Sequence, residues 1–183
     1  MKIVIISGTN RRGNMSLKVS KMVQARYQAK GVDAEIIDLC DMPAEIYSPD
    51  AYSQKPESFS KYSDLVLESD GLVVVVPEYN GSFPGALKYF IDMLPFPEAF
   101  ENRSSAFIGI AAGIWGGLRS VEQLQQVFGY RNGFSFNERV FVPGIYKEFD
   151  EENQRFKTDL IDQLLDSQTE NFISFVRNNG KNL

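Results

Sequence analysis

The chain has 183 residues, 43% of them hydrophobic and 23% charged, and its 19 basic against 24 acidic side chains leave a net charge of −5. That composition fits one folded domain over 1–183, with no basic stripe for nucleic acid and no apolar run approaching membrane-spanning length, so a cytoplasmic protein is expected. Histidine is absent and Cys40 is the single cysteine, which excludes histidine-based hydrolytic triads and metal sites, Cys-x-x-Cys redox pairs and cysteine-ligated clusters; any redox chemistry must come from a bound organic cofactor.

In chain order, Lys2 to Ser7 reads as a buried strand that leads through the loop SGTNRRGNMS into a helix over 17–30. The apolar stripe of that helix includes Val19, Met22 and Val23, and Gly31 closes it. A second strand is predicted over 34–39, with Cys40 as a small buried hydrophobe at its end. A proline-marked connection leads to a helix over 59–68. Residues 72–76 are β-branched or leucine without polar alternation, the pattern of a strand covered on both faces, and Pro77 stops it. Asn80-Gly81 has the composition of a hairpin turn, but no alternating strand follows. Ser82 and Pro84 instead suit the N-cap and first turn of a helix carrying Leu87, Phe90, Ile91 and Leu94. A fourth strand over 105–111, a helix over 118–128, a fifth strand near 139–142 and a closing helix over 159–178 complete the series.

Alternating strands and helices without a domain break predict an α/β fold, a doubly wound five-stranded parallel sheet of order 2-1-3-4-5 with helices on both faces. Ligands of such sheets bind outside the carboxyl ends of the strands, where the order reverses. The loops after strands one, three and four converge there. The first has glycines leading into a helix start, where free N–H groups and the helix dipole attract an anion. Its spacing imitates an ATP-binding P-loop, but Asn14 and Met15 occupy the lysine and serine positions, and the dinucleotide pattern GxGxxG fails as well. A single phosphate held by backbone N–H and by Thr9, Arg11, Asn14 and Ser16 remains; a capped turn with solvated arginines is the alternative. The second loop offers Pro77, Glu78, Tyr79, Asn80 and Gly81 to the polar edge of a planar heterocycle. In the third, Gly113, Gly116 and Gly117 allow close approach, and Trp115 is either a stacking surface or a packing residue.

Together these loops, and above all PEYNGSFPGALKYFID, resemble the NADPH-dependent FMN reductase family, flavodoxin-like proteins that include quinone, azo-dye and chromate reductases. The resemblance implies a flavodoxin-like fold. It places FMN with its phosphate on the first loop (Thr9, Arg11, Asn14, Met15, Ser16). The ring lies along Pro77, Glu78, Tyr79, Asn80 and Gly81, with Gly113, Trp115 and Gly116 closing the site. Thr9 stands where relatives carry serine, the order Asn14-Met15-Ser16 is reversed, and Ala111 replaces a frequent serine. The implied activity is ping-pong hydride transfer from NADPH, or NADH, through FMN to a quinone, flavin or similar small acceptor, with no obligatory acid–base side chain. A flavodoxin-like electron carrier is the rival. Arg11, Arg12, Arg103 and Arg119 are the candidates for a nicotinamide nucleotide's 2′-phosphate. A homodimer or homotetramer is expected, with Tyr89, Phe90 and Met93 adding apolar surface on the third helix.

Overall fold

The two runs without polar alternation, residues 3–6 and 72–76, lie side by side at the middle of the sheet and are wholly buried. The computed structural model describes residues 1–179. In it β1 (Lys2–Ser7), β2 (Asp33–Asp38), β3 (Gly71–Pro77) and β4 (Ser104–Ile110) form a parallel sheet in the order β2-β1-β3-β4. The fifth position is shared by two short segments, β5 (Phe134–Ser135) against the start of β4 and β6 (Val140–Val142) against its end. The fold is the flavodoxin-like doubly wound sheet that the element order predicts.

Because side chains alternate across a strand, successive residues feed two cores. Ile3, Ile5, Val73 and Val75 pack under α1 (Met15–Ala29) and α6 (Asp159–Asn178). Val4, Ile6, Leu72, Val74 and Val76 pack against α2 (Ser60–Glu68), α3 (Gly85–Met93) and α4 (Leu118–Tyr130). Between β5 and β6 the sequence leaves the sheet, and the buried amide of Gln168 on α6 donates to the Phe107 and Glu138 carbonyls at 3.1 and 2.8 Å. A side chain thus replaces the missing ladder bonds.

Several local expectations need correction. The first helix begins at Met15, two residues early, because Asn14 caps it: Asn14 Oδ1 accepts from the Leu17 N–H at 2.7 Å. Asn80-Gly81 does form a tight turn, with φ of 53° and 77°, closed by reciprocal bonds between Tyr79 and Ser82 of 2.8 and 3.1 Å. Such left-handed pairs are what Asn-Gly favours. Ser82 is therefore no N-cap; Pro84 holds that position. Cys40 is half-buried in a 3₁₀ turn after β2 rather than enclosed in the core. Phe90 and Met93 point into the chain's own core and leave only Tyr89 partly exposed on α3. The sequence reading also missed a short helix, α5 (Ile145–Glu148), and a hairpin of β7 (Phe149–Asp150) and β8 (Arg155–Phe156). Among the described residues no helix is long and apolar enough to cross a membrane, and no group of acidic, histidine or cysteine side chains is arranged to hold a metal.

Candidate functional site

A cleft of about 300 Å³ opens at the carboxyl ends of β1, β3 and β4, a volume at the lower end for small-molecule sites. It is lined by residues 9 and 11–16 of the first loop, by Pro77, Glu78 and Tyr79 of the second, and by Ile110, Ala111 and Ala112 after β4. The expected convergence of three loops is therefore present. Gly8 permits it, since a Cβ there would sit 2.8 Å from the Val75 carbonyl, which instead accepts the Gly8 N–H at 2.9 Å.

At the first loop the helix start of α1 presents Met15 and Ser16, whose N–H groups have no intrahelical acceptor. Met15 offers only its backbone, because its side chain belongs to the core. Ser16 is 1% exposed and its hydroxyl finds no protein partner. A buried unpaired hydroxyl on a residue lining a cleft is available to a ligand. The other side chains expected to hold an anion are already engaged. Asn14 caps α1 with its oxygen and donates from Nδ2 to the Arg11 carbonyl at 2.6 Å. The hydroxyl of Thr9, wholly buried, is 2.8 Å from the Tyr79 hydroxyl. Arg11 is exposed, and its guanidinium lies 4.1 Å from the centre of the Tyr79 ring.

The second loop spends its backbone differently from its composition. The Glu78 N–H donates to Ile110 at 3.1 Å and the Tyr79 N–H to Ser82, while the N–H groups of Asn80 and Gly81 have no acceptor among the described residues and sit on the turn beside the cleft rather than on its wall. Gln123 Nε2 holds the Gly81 carbonyl from α4 at 3.1 Å. One Glu78 oxygen faces Arg119 Nη1 at 3.4 Å, and the other is buried without a partner.

Gly116 and Gly117 of the third loop serve packing more than access, whereas a Cβ on Gly113 would meet open space. A Cβ on Gly117 would meet the Ile110 nitrogen at 2.7 Å, and one on Gly116 would lie 3.0 Å from the backbone nitrogens of Val142 and Pro143. Both have positive φ. The Gly113 carbonyl accepts from Gly116 and Gly144. Gly113, Trp115 and Gly116 thus lie beside the cleft rather than on its wall, and Trp115 is half exposed with Arg119 5.9 Å from its ring. Arg103 is removed from the site altogether. It precedes β4 at the opposite, amino-terminal end of the strands, buried, donating to the Ala99, Ser69 and Glu98 carbonyls, and that burial lowers its pKa to about 10. Sequence reasoning missed Ile145 and Tyr146, which line the cleft from α5. Gly144, in the left-handed region at φ 60°, turns the chain so that the Ile145 N–H reaches the Ala111 carbonyl at 2.9 Å. The signal was available: a strand ending at a glycine that opens a helix, as in the earlier loops.

A helix start with N–H groups lacking intrahelical acceptors and a carboxylate oxygen without a partner thus belong to residues lining one cleft, a pairing that suits a mononucleotide whose far end carries an N–H donor. FMN, with its phosphate and the imide N–H of its ring, is such a molecule. This fold, with its cleft at the carboxyl ends of the strands, defines a flavodoxin-like protein. The chain belongs to the NADPH-dependent FMN reductase family, whose model matches residues 1–147. It is 27% identical over 146 residues to an NADPH azoreductase of Bacillus sp. strain OY1-2, covering 80% of this chain and 79% of that one. To an NAD(P)H-dependent FMN reductase of Pseudomonas aeruginosa it is 25% identical over 181 residues, covering 97% and 96%. Among solved structures, the flavoenzyme NAD(P)H:(acceptor) oxidoreductase FerB of Paracoccus denitrificans superposes with a TM-score of 0.83 at 19% identity, covering 98% of both chains. The cofactors of the family are FMN and NAD(P)H.

Proposed function

We propose that this protein oxidises NADPH, or NADH, and reduces a quinone, flavin or similar small acceptor at one open face, in ping-pong order. The observation that carries the reading is the pair of orphaned groups in one cleft, Ser16 Oγ and Glu78 Oε2, which fit the two ends of FMN. Bound there, FMN supplies hydride and electron transfer. The chain's own part is placement. The Met15 and Ser16 N–H groups and the Ser16 hydroxyl bind phosphate, with Arg11 close enough to add charge. Glu78 Oε2 orients the ring edge, with the N–H groups of Asn80 and Gly81 on the adjoining turn. Tyr146, exposed, and Ala111 and Ala112, small, leave the outer side of the cleft accessible to a second planar molecule. A donor and an acceptor sharing one face must take turns.

The azoreductase and quinone reductase relatives support a small aromatic acceptor. Anaerobic mixing with NADPH tests the reading: the bound flavin should bleach, and initial rates with varied acceptor should give parallel double-reciprocal lines. Flavin reduced by dithionite but not by NADPH would instead establish an electron carrier. A cytoplasmic location and a homo-oligomer belong to the same proposal. The lone free cysteine suits a reducing compartment. The oligomer rests on the exposed aromatics Tyr89, Phe96 and Tyr130 of α3, α4 and their flank, and light scattering at the monomer mass would dismiss it.

A further inference from the structure

Tyr79 belongs to the second loop, at the ring end of the cleft, yet its hydroxyl is committed to the first. It lies 2.8 Å from Thr9 Oγ1, 70 residues away in the sequence. Thr9 is wholly buried, so its hydroxyl has no water to fall back on. The same oxygen accepts the Arg11 N–H at 3.4 Å, while the Arg11 guanidinium lies over the Tyr79 ring at 4.1 Å. Tyr79 therefore grips the first loop twice, by its hydroxyl and by its ring face. Little else crosses to that loop. Its chain from Asn10 to Gly13 is exposed, and beyond Gly8 its other bonds, Thr9 to Ser7 and Asn14 to Arg11 and Leu17, are local.

We propose that the Tyr79 hydroxyl is a positioning group for the phosphate end of the site, acting through Thr9 rather than by touching the phosphate. Without the hydroxyl, residues 9–13 must be ordered by the ligand at the moment of binding, which weakens only ligands that use them. The methyl group of Thr9 fits this role. It restricts the side chain's rotamers and holds the hydroxyl toward Tyr79. The inference rests on the FMN assignment of the cleft.

The test is equilibrium binding of FMN and riboflavin, followed by flavin fluorescence, to the apoprotein of wild type, Tyr79→Phe, Thr9→Val, the double variant and Thr9→Ser. Tyr79→Phe and Thr9→Val should each weaken FMN by about 3- to 10-fold, the effect of one neutral hydrogen bond, and leave riboflavin within about 2-fold. The double variant should be no worse than Thr9→Val, which removes the Tyr79 contact together with the acceptor of the Arg11 N–H. Thr9→Ser, which keeps the hydroxyl, should retain the wild-type preference for FMN. Equal losses for the two flavins would overturn the proposal by placing the hydroxyl at the ring or in general stability, and unchanged FMN binding would overturn it outright. If one variant does not fold, the other carries the comparison. A wild type that binds riboflavin as tightly as FMN would refute the phosphate assignment itself, a failure visible before any variant is compared.

Discussion

Glu78, on the wall of the cleft, shows one carboxylate oxygen to Arg119 at 3.4 Å and keeps the other buried and unpaired. A carboxylate so divided is held by the protein on one side and left for a ligand donor on the other. Glu78→Gln retains the shape but can present an N–H where an acceptor is needed. Its effect should fall on the ring, which FMN and riboflavin share. Both flavins should weaken by about 10-fold, the lower end of the range for one hydrogen bond to a charged group. Titration by fluorescence quenching checks this, and a loss confined to FMN would contradict the placement.

Arg11→Ala should do the opposite. FMN affinity is expected to fall about 10- to 100-fold through lost charge-assisted bonding to the phosphate, nearer the lower figure because the side chain is exposed. Riboflavin should bind unchanged. Raising the salt concentration should narrow the difference between wild type and variant, as screening of an exposed charge requires.

Gly117→Ala tests the packing of the third loop. With φ at 88° and the Ile110 nitrogen 2.7 Å from the position of a Cβ, the methyl group forces the loop off the end of β4. A stability loss of at least about 1–3 kcal/mol is expected from the strained conformation. Urea denaturation at matched pH measures it, and a midpoint equal to wild type would show that the loop yields freely.

Asp38 supplies a pH dependence. Burial raises its pKa; the neighbouring Asp41 charge pushes the same way, against the Cys40 N–H bond and two weaker lowering interactions. The folded state therefore keeps a proton that the unfolded chain has released above about pH 3.9. Asp38's contribution to stability is present below that pH and lost as the pH rises through the folded value. Asp38→Asn keeps an acceptor for Cys40 and removes the buried charge. Its stability relative to wild type should increase from pH 4 towards neutrality, as read from denaturant midpoints. A constant difference would exclude Asp38 as the source.

How far the sequence carries can be seen in individual residues. The bounds of β1 and α6 were legible because strict burial and helical period mark them on every turn. The two-residue β5 was not, since nothing local distinguishes Phe134-Ser135 from a loop; its pairing is set by the waiting edge of β4. The three site loops were legible from glycines and strand ends. What each side chain does was less so, because Thr9 and Asn14 have the chemistry to bind an anion and also to tie the loop together. The choice between these depends on Tyr79 and Leu17 being within reach. Ile145 and Tyr146 enter the site only through the fold of Gly144, which a pattern of apolar residues does not announce.

The divided fifth strand bears on how this protein behaves among copies of itself. An open sheet ends in two rows of unpaired backbone groups, and a long flat edge is a template on which another chain can grow. Here one edge is broken into pieces of two and three residues, with Gln168 occupying carbonyls in the interval. The other edge, β2, carries Asp33, Glu35 and Asp38, and Lys2 of the adjoining strand pairs with Glu35. Neither edge offers an incoming strand a continuous uncharged register, so the sheet is self-limiting and resists growth into aggregates.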